Sequence, residues 1–400
     1  MGGSCPTCSG NSSGSLVRPS GAGLGDDECR RLAWEIVTRA SREEPADQLL
    51  RRALARPPVP AAAARRAVSE FVVGFFRGRG WLAEAADPSA LARAMELDQR
   101  FQRTPHTFTD AELRRCAVPR WIEDCQGKPP VAWLRALQDH PRVWLRARIG
   151  QGAKLAARLG FCREGGGRLR DALCYCGRED LFRTAAFHEG AFELQDLSSQ
   201  AVGWVCAPQP GAHWWDVCAG EGGKTLHLAE QMQNRGVVWA TDRAEWRLRS
   251  LRRRAARAGL FNIRPEAWTG SDRPPGFGAF DGVLVDAPCS GTGTWQRNPH
   301  ARWTAAPEDV TELAAVQSGL LRRASAAVKP GGRLVYAVCS LTMDETCRVA
   351  DDFESDHPAF EPETVVDPTG IQARAARLWL RTERCGGNGM FVAVWRRARG

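Results

Sequence analysis

DVCAGEGGKT, from Asp216 to Thr225, puts an acid, a cysteine and three glycines at the join between an apolar run and a helical one. Upstream, HWW reads as a strand; downstream, KTLHLAEQMQ has helical spacing. Gly220, Gly222 and Gly223 let the backbone approach a ligand closely. The ending Gly223-Lys224-Thr225 resembles a P-loop. That loop needs a glycine five residues before Gly223, where Cys218 stands, and no later strand offers an obvious magnesium-binding pair, so an NTPase is set aside. The next strand, GVVWATD, ends in Asp242, and 242 − 222 gives 20 residues past Gly222. That is near the spacing at which dinucleotide-binding folds hold the ribose hydroxyls. Asp242 is equally well placed to cap the helix that starts at Ala244. Turn and acid together predict an adenosine-containing cofactor without saying which.

The same rhythm continues outward. AEWRLRSLRRRAARAG is a helix, FNIRPEAW and FDGVLVDAPCS are strands, and PEDVTELAAVQSGLLRRASAAVK is a long helix before the strand GRLVYAVCS. The helix DETCRVADDFESD and the late strand GMFVAVWRR follow. Alternating strands and helices predict an α/β fold with a parallel sheet covered on both faces, with ligands at the carboxyl ends of its strands. Residues 206–400 are assigned to this domain. Residues 126–205, after the break QGKPP, read as a small α/β linker. Residues 26–125 read as all-helical, with Leu32, Ile36 and Val37 on one stripe and Val68, Phe71, Val72 and Phe75 on another. Residues 1–25, rich in Gly and Ser, are predicted to be disordered.

At 43% hydrophobic and 25% charged residues, the chain has the composition of a soluble globular protein. Its apolar runs are too short to span a membrane, and its start has no apolar signal region. A cytoplasmic location and no membrane partner are expected. The formal charge of +9 predicts a polyanionic partner. The 14 cysteines are expected to be mostly reduced thiols. Cys5 and Cys8 form half a zinc site, but no second pair follows, so no metal is predicted.

Two strands end alike, in DAPCS and YAVCS, with Cys289 and Cys339 at their tips. Thiolates are strong nucleophiles. A thiolate that adds to C6 of a pyrimidine turns C5 into a carbon nucleophile towards an activated methyl group. The C5 proton must then leave, and a second group beside the first would assist. Asp286, three residues before Cys289, is placed to hold the N3–N4 edge of a cytosine. Two small buried thiols remain the plain alternative. The following loop, TWQRNPHARW, offers Arg297, His300, Arg302 and Trp303 for phosphate binding and base stacking, which points to RNA.

DAPCSGTGTWQRNPHARW and VYAVCSLTMDET, with DVCAGEGGKT upstream, resemble the RNA cytosine-C5 methyltransferases. FELQDLSSQ and GNGMFVAVWRR extend the resemblance over about residues 130–400. It implies S-adenosylmethionine on a Rossmann-like sheet, Cys339 as nucleophile and Cys289 as the release cysteine. Asp286 would touch the cytosine and lie beside the cofactor. Cys218, Ala219, Gly220, Glu221, Gly222, Gly223 and Lys224 would wrap the methionine and ribose, and Asp242 would hold the ribose hydroxyls. The helical start resembles a NusB-like RNA-binding domain, which implies the bacterial branch acting on small-subunit (16S) ribosomal RNA as a monomer. The chain departs from the pattern at Gly220-Glu221, at Trp268 (where an adenine-proximal aspartate is usual), and at Val338, Thr346 and Asn388. Arg146 to Ile149 lacks the usual asparagine. Three alternatives stay open: a transfer-RNA methyltransferase, a DNA methyltransferase needing only Cys289, and a catalytically silent RNA-binding ribosome-assembly module.

Overall fold

The computed structural model describes residues 25–56, 60–82, 87–270 and 279–399. Cys5 and Cys8, and the segment expected to be disordered up to residue 24, lie outside them.

The helices Asp26–Arg39, Ala46–Ala55, Ala62–Gly78 and Ser89–Arg103 form the first layer. Each turns one stripe inward, Ala33, Ile36 and Val37 from the first meeting Val68, Val72 and Phe75 from the third. This is what residues recurring every three to four positions require. The helical run DAELRRCAVPRWIEDC is broken into Asp110–Cys116 and Ile122–Gln126. Pro119 lies in the gap, where it lacks an N–H and disfavours helical backbone before it.

The linker holds more sheet than its sequence suggests. β1 (Val143–Ala147), β2 (Cys162–Glu164), β3 (Ala172–Tyr175) and β4 (Phe192–Leu194) form an antiparallel sheet in the order β2-β3-β1-β4. Only β1 is legible beforehand, because a three- or four-residue strand is too short to display alternation.

The large sheet contains β5 (His213–Asp216), β6 (Val237–Asp242), β7 (Ile263–Ala267), β8 (Phe280–Asp286), β9 (Val328–Val338), β10 (Phe360–Pro362), β11 (Arg377–Leu380) and β12 (Met390–Arg397). Their order is β10-β12-β9-β8-β5-β6-β7, with β11 also on β12. The five strands from β5 to β9 are parallel, as expected. The wholly parallel expectation fails at β12, which runs antiparallel to β9. β12 follows β11 through the short segment 381–389, whereas a parallel return needs a crossover of a dozen residues or more. Val283, Leu284 and Val285 in β8 are fully buried. Burial of each such side chain contributes roughly 1.5–3 kcal/mol. Gly282 leaves room for the Trp214 ring on the neighbouring strand, which a Cβ would meet at 2.2 Å.

The order of strands reverses at β5, so β6 and β8 lie on either side of it. Open α/β sheets form their ligand crevice at such a switch point, at the carboxyl ends.

Candidate active site

Register brings the two cysteine tips together. Asp286 on β8 pairs with Ala337 on β9, and the Ala287 N–H donates to the Ala337 carbonyl at 2.9 Å. Three residues past Asp286 and two past Ala337, the Cys289 and Cys339 sulfurs stand 3.2 Å apart, both as free thiols. The loop after Cys289 is tied to the second tip: the Gly293 N–H donates to the Cys339 carbonyl at 3.0 Å, and the Gly389 N–H donates to the Gly293 carbonyl at 2.8 Å. A Cβ on Gly293 would lie 2.0 Å from the Gly389 carbonyl oxygen. This crossing therefore requires glycine. The hydrogen bond to Cys339 comes first among the causes that hold the Cys289 thiol well above its ordinary range; burial and the charges of Cys339 and Glu345 add to it. The Cys289 thiol is thus held protonated.

Asp286 is partly exposed, and its carboxylate accepts from the Lys224 ammonium at 2.6 Å. Lys224 also donates to Ser199 Oγ at 3.3 Å. Burial pulls this ammonium down, but Asp286, with smaller contributions from Cys339 and Asp216, holds it above the usual lysine range. Lys224 therefore stays charged. Asp216, fully buried, accepts from Thr225 Oγ1 at 2.6 Å, and its other oxygen has no hydrogen-bond partner among the described residues. Burial, with a contribution from Asp286, pushes its carboxyl up to about 7.

Beside this pair an open cleft of about 270 Å³ is lined by Cys218, Asp242, Trp268, Asp286, Pro288 and Leu320 among others. That is near the lower end of the roughly 300–1,000 Å³ that small-molecule sites span. Gly222, at φ +87°, turns the chain into the Gly223–Gln231 helix, and a Cβ there would strike Leu251 at 2.6 Å. A Cβ on Gly220 would meet nothing within 4 Å, so the turn leaves open space at its tip. Asp242 accepts from two backbone donors. One oxygen takes the Ala244 N–H at 2.8 Å, just before the Glu245–Arg257 helix, and the other takes the Gly220 N–H at 3.0 Å. Each carboxylate oxygen has two lone pairs, so capacity for ribose hydroxyls remains. Cys218 also lines the cleft, its thiol kept protonated by burial. Ala219 is buried, and its N–H donates to the Thr241 carbonyl at 2.8 Å. The Gly223 carbonyl accepts from Gln195 at 3.1 Å. The Glu221 side chain accepts from Ser250 Oγ at 2.8 Å. Trp268 forms an apolar wall, packed edge-on against Trp215 at 5.1 Å.

The loop residues expected to meet RNA need a larger correction. Arg302 is fully buried and donates to the carbonyls of Ala117 (2.9 Å), Leu137 (3.0 Å) and Trp295 (3.2 Å). His300 is buried against Phe76, with ring centroids 4.6 Å apart. Trp303 packs against the helical core, and its Nε1–H donates to the Phe76 carbonyl at 2.7 Å. These three fasten the loop to the helical layer: Arg302 and Trp303 supply donors that buried backbone carbonyls need, and His300 packs its ring on Phe76. Arg297 alone stays substantially exposed, paired with Asp196 at 3.1 Å.

One residue escaped the sequence reading. Glu345 is fully buried, and its carboxylate accepts from the Ser290 N–H at 2.7 Å, Ser340 Oγ at 2.6 Å, Thr342 Oγ1 at 3.0 Å and Gln317 Nε2 at 3.0 Å, as well as from Ser290 Oγ. Ser290 and Ser340 directly follow the two cysteines. A single carboxylate thus clamps both tips. The repeated Cys-Ser was the available signal for it.

Residues 204–396 match the family model described as 16S rRNA methyltransferase RsmB/F. The chain is 40% identical over 181 residues to a probable ribosomal RNA small subunit methyltransferase B of Synechocystis, covering 44% of this chain and 40% of that one. A probable ribosomal RNA small subunit methyltransferase B of Bacillus subtilis is 34% identical over 221 residues, 54% of this chain and 49% of its own. The chain thus spans about half the length of these curated relatives or less. Among solved structures, the one described as the crystal structure of PH0851 superposes with a TM-score of 0.77 at 22% identity, over 94% of this chain and 99% of that one. A methyltransferase homolog from Pyrococcus horikoshii gives 0.57 at 26% identity, over 69% and 92%. Residues 204–396, which carry the paired cysteine tips and the glycine-rich turn, are thus the part of the chain that resembles the 16S rRNA methyltransferase RsmB/F family.

Proposed function

We propose that this protein is an S-adenosylmethionine-dependent RNA methyltransferase that forms 5-methylcytosine in small-subunit ribosomal RNA, acting in the cytoplasm. The observation that carries this reading is the contact of two free thiols at 3.2 Å beside a paired lysine and aspartate. The cofactor fits the neighbouring cleft: Asp242 would take the ribose hydroxyls, Cys218 and the Gly220–Gly223 turn would border the ribose and methionine, and Trp268 would wall the base. When bound, it supplies an electrophilic methyl group.

The protein's own residues do the rest. Asp286 accepts from the cytosine N4 amino group and, with the Lys224 ammonium, orients the ring. Cys339 is the nucleophile, and Cys289, whose thiol is held protonated by the contact with Cys339 and by burial, is its neutral partner. The Cys339 sulfur bonds to C6, and the electron pair of the C5–C6 double bond forms the new bond from C5 to the methyl, whose bond to the cofactor sulfur would break to leave a neutral thioether. Cys289, after giving its proton to solvent, removes the C5 proton. That C–H pair re-forms the double bond, and the bond from C6 to Cys339 breaks with its electrons returning to sulfur.

Turnover by the two single variants tests the assignment. Cys339→Ala abolishes methyl transfer and gives no protein–RNA adduct. Cys289→Ala accumulates an adduct that survives denaturing electrophoresis, because the bond forms but is not released. Normal turnover by Cys339→Ala would exclude this mechanism.

A further inference from the structure

We infer that the exposed face of the Glu245–Arg257 helix is a second RNA-contact surface, a phosphate-binding ledge that extends from the candidate active site. The inference rests on the RNA reading above and adds where the strand runs. The helix, EWRLRSLRRRAAR, buries Leu248, Leu251 and Ala255 on one side. Its arginines divide into two groups. Arg254 and Arg257 bend inward to the buried Glu193 and hold the helix to the small sheet. Arg252 is paired with Glu245, the helix's one acid. Arg249 and Arg253 are exposed and face no carboxylate among the described residues.

A solvated helix normally intersperses acids with its bases three or four positions apart. Here the outer face carries arginines and one large aromatic ring. Trp246 is 53% exposed, and the Arg247 guanidinium lies over it at 5.3 Å from the ring centre. Trp246, Arg249 and Arg253 follow one another at i, i+3 and i+7, so they share a stripe roughly 10 Å long at 1.5 Å per residue. A cationic row beside an exposed aromatic is the pattern that tracks a single-stranded backbone and stacks an unpaired base. The row is continuous with the site, because Arg243 and Arg247 line the same cleft as Asp286. An acidic protein would satisfy the charges but gives no use for the ring, which favours nucleic acid.

The test uses the full chain and transcribed small-subunit ribosomal RNA, with affinity measured at several salt concentrations. R249E/R253E is expected to bind about tenfold more weakly near 0.1 M salt. The slope of log affinity against log salt should become shallower by roughly 1.5–2, as loss of two phosphate contacts requires. Trp246→Ala should lose at least about fivefold, the lower end of base stacking. Cofactor binding and melting temperature serve as controls for the fold. Unchanged RNA affinity and salt slope in R249E/R253E would overturn the ledge and leave the active-site reading intact. Failure of the unaltered protein to bind RNA even at low salt would overturn both. Polyglutamate competing as well as RNA, with Trp246→Ala silent, would overturn the nucleic-acid assignment of this face.

Discussion

Glu345 does the work of two residues, since its oxygens hold the serine after each candidate catalytic cysteine. Its geometry depends on a widened turn, in which the Arg348 N–H reaches back five residues to the Met343 carbonyl at 3.1 Å. Glu345→Gln puts an amino group where only acceptors fit, leaving at least one of these donors unmatched. Each mismatch costs roughly 1–3 kcal/mol. A tip displaced by a fraction of an ångström misaligns the attacking sulfur, and such misplacement lowers rates by as much as about 100-fold. We therefore expect kcat of Glu345→Gln to fall roughly 10- to 100-fold while its cofactor Kd stays unchanged, and a folded variant with normal kcat would contradict the clamp. At this scale the sequence is informative about reactive groups and weak on their supports. Cys289, Cys339, Asp286 and Asp242 stand out because thiols and acids at strand ends are uncommon. Glu345 reads as an ordinary acid near a helix start, since its partners come from other strands.

The loop from Thr294 to Thr304 links the catalytic end of β8 to the helical layer. Arg302 is its anchor, a fully buried guanidinium whose two terminal nitrogens donate to three carbonyls. Arg302→Ala leaves those acceptors unpaired and opens a cavity, and we expect a loss of roughly 2–5 kcal/mol. Arg302→Lys rescues this only in part, because an ammonium lacks the planar fork. Thermal melting and limited proteolysis read the effect; a melting temperature unchanged in Arg302→Ala would contradict the anchoring role. The misreading of this loop has a physical cause. Arginine and tryptophan serve equally for gripping RNA and for satisfying buried carbonyls, and only the tertiary partner distinguishes the two. Long periodic elements such as β8 and the Pro307–Ser325 helix are legible for the opposite reason, since their pattern repeats often enough to declare a face. Of the strands of three or four residues, β2, β3, β4, β10 and β11 are not, and β5 is legible only through the glycine-rich turn that follows it.

Taken whole, the molecule places a basic helix, an open cleft and a reactive thiol pair along one rim of a doubly wound sheet. The helical layer is fastened to the same rim through the loop that follows Cys289. The alternation of strands and helices was sufficient to predict the five parallel strands of this sheet. The antiparallel β12 was not predictable from that rhythm, because its direction is set by a short connection. Substrate choice belongs to this scale, where the net charge of +9 and the arginine ledge favour a long polyanion over a small molecule. The most direct test is transfer of labelled methyl groups from S-adenosylmethionine to total RNA from a strain lacking the protein, followed by mapping of the modified base. The account predicts label in 5-methylcytosine at a cytosine of small-subunit ribosomal RNA. Label only in another base or only in transfer RNA, or no label although the cofactor binds, would contradict it.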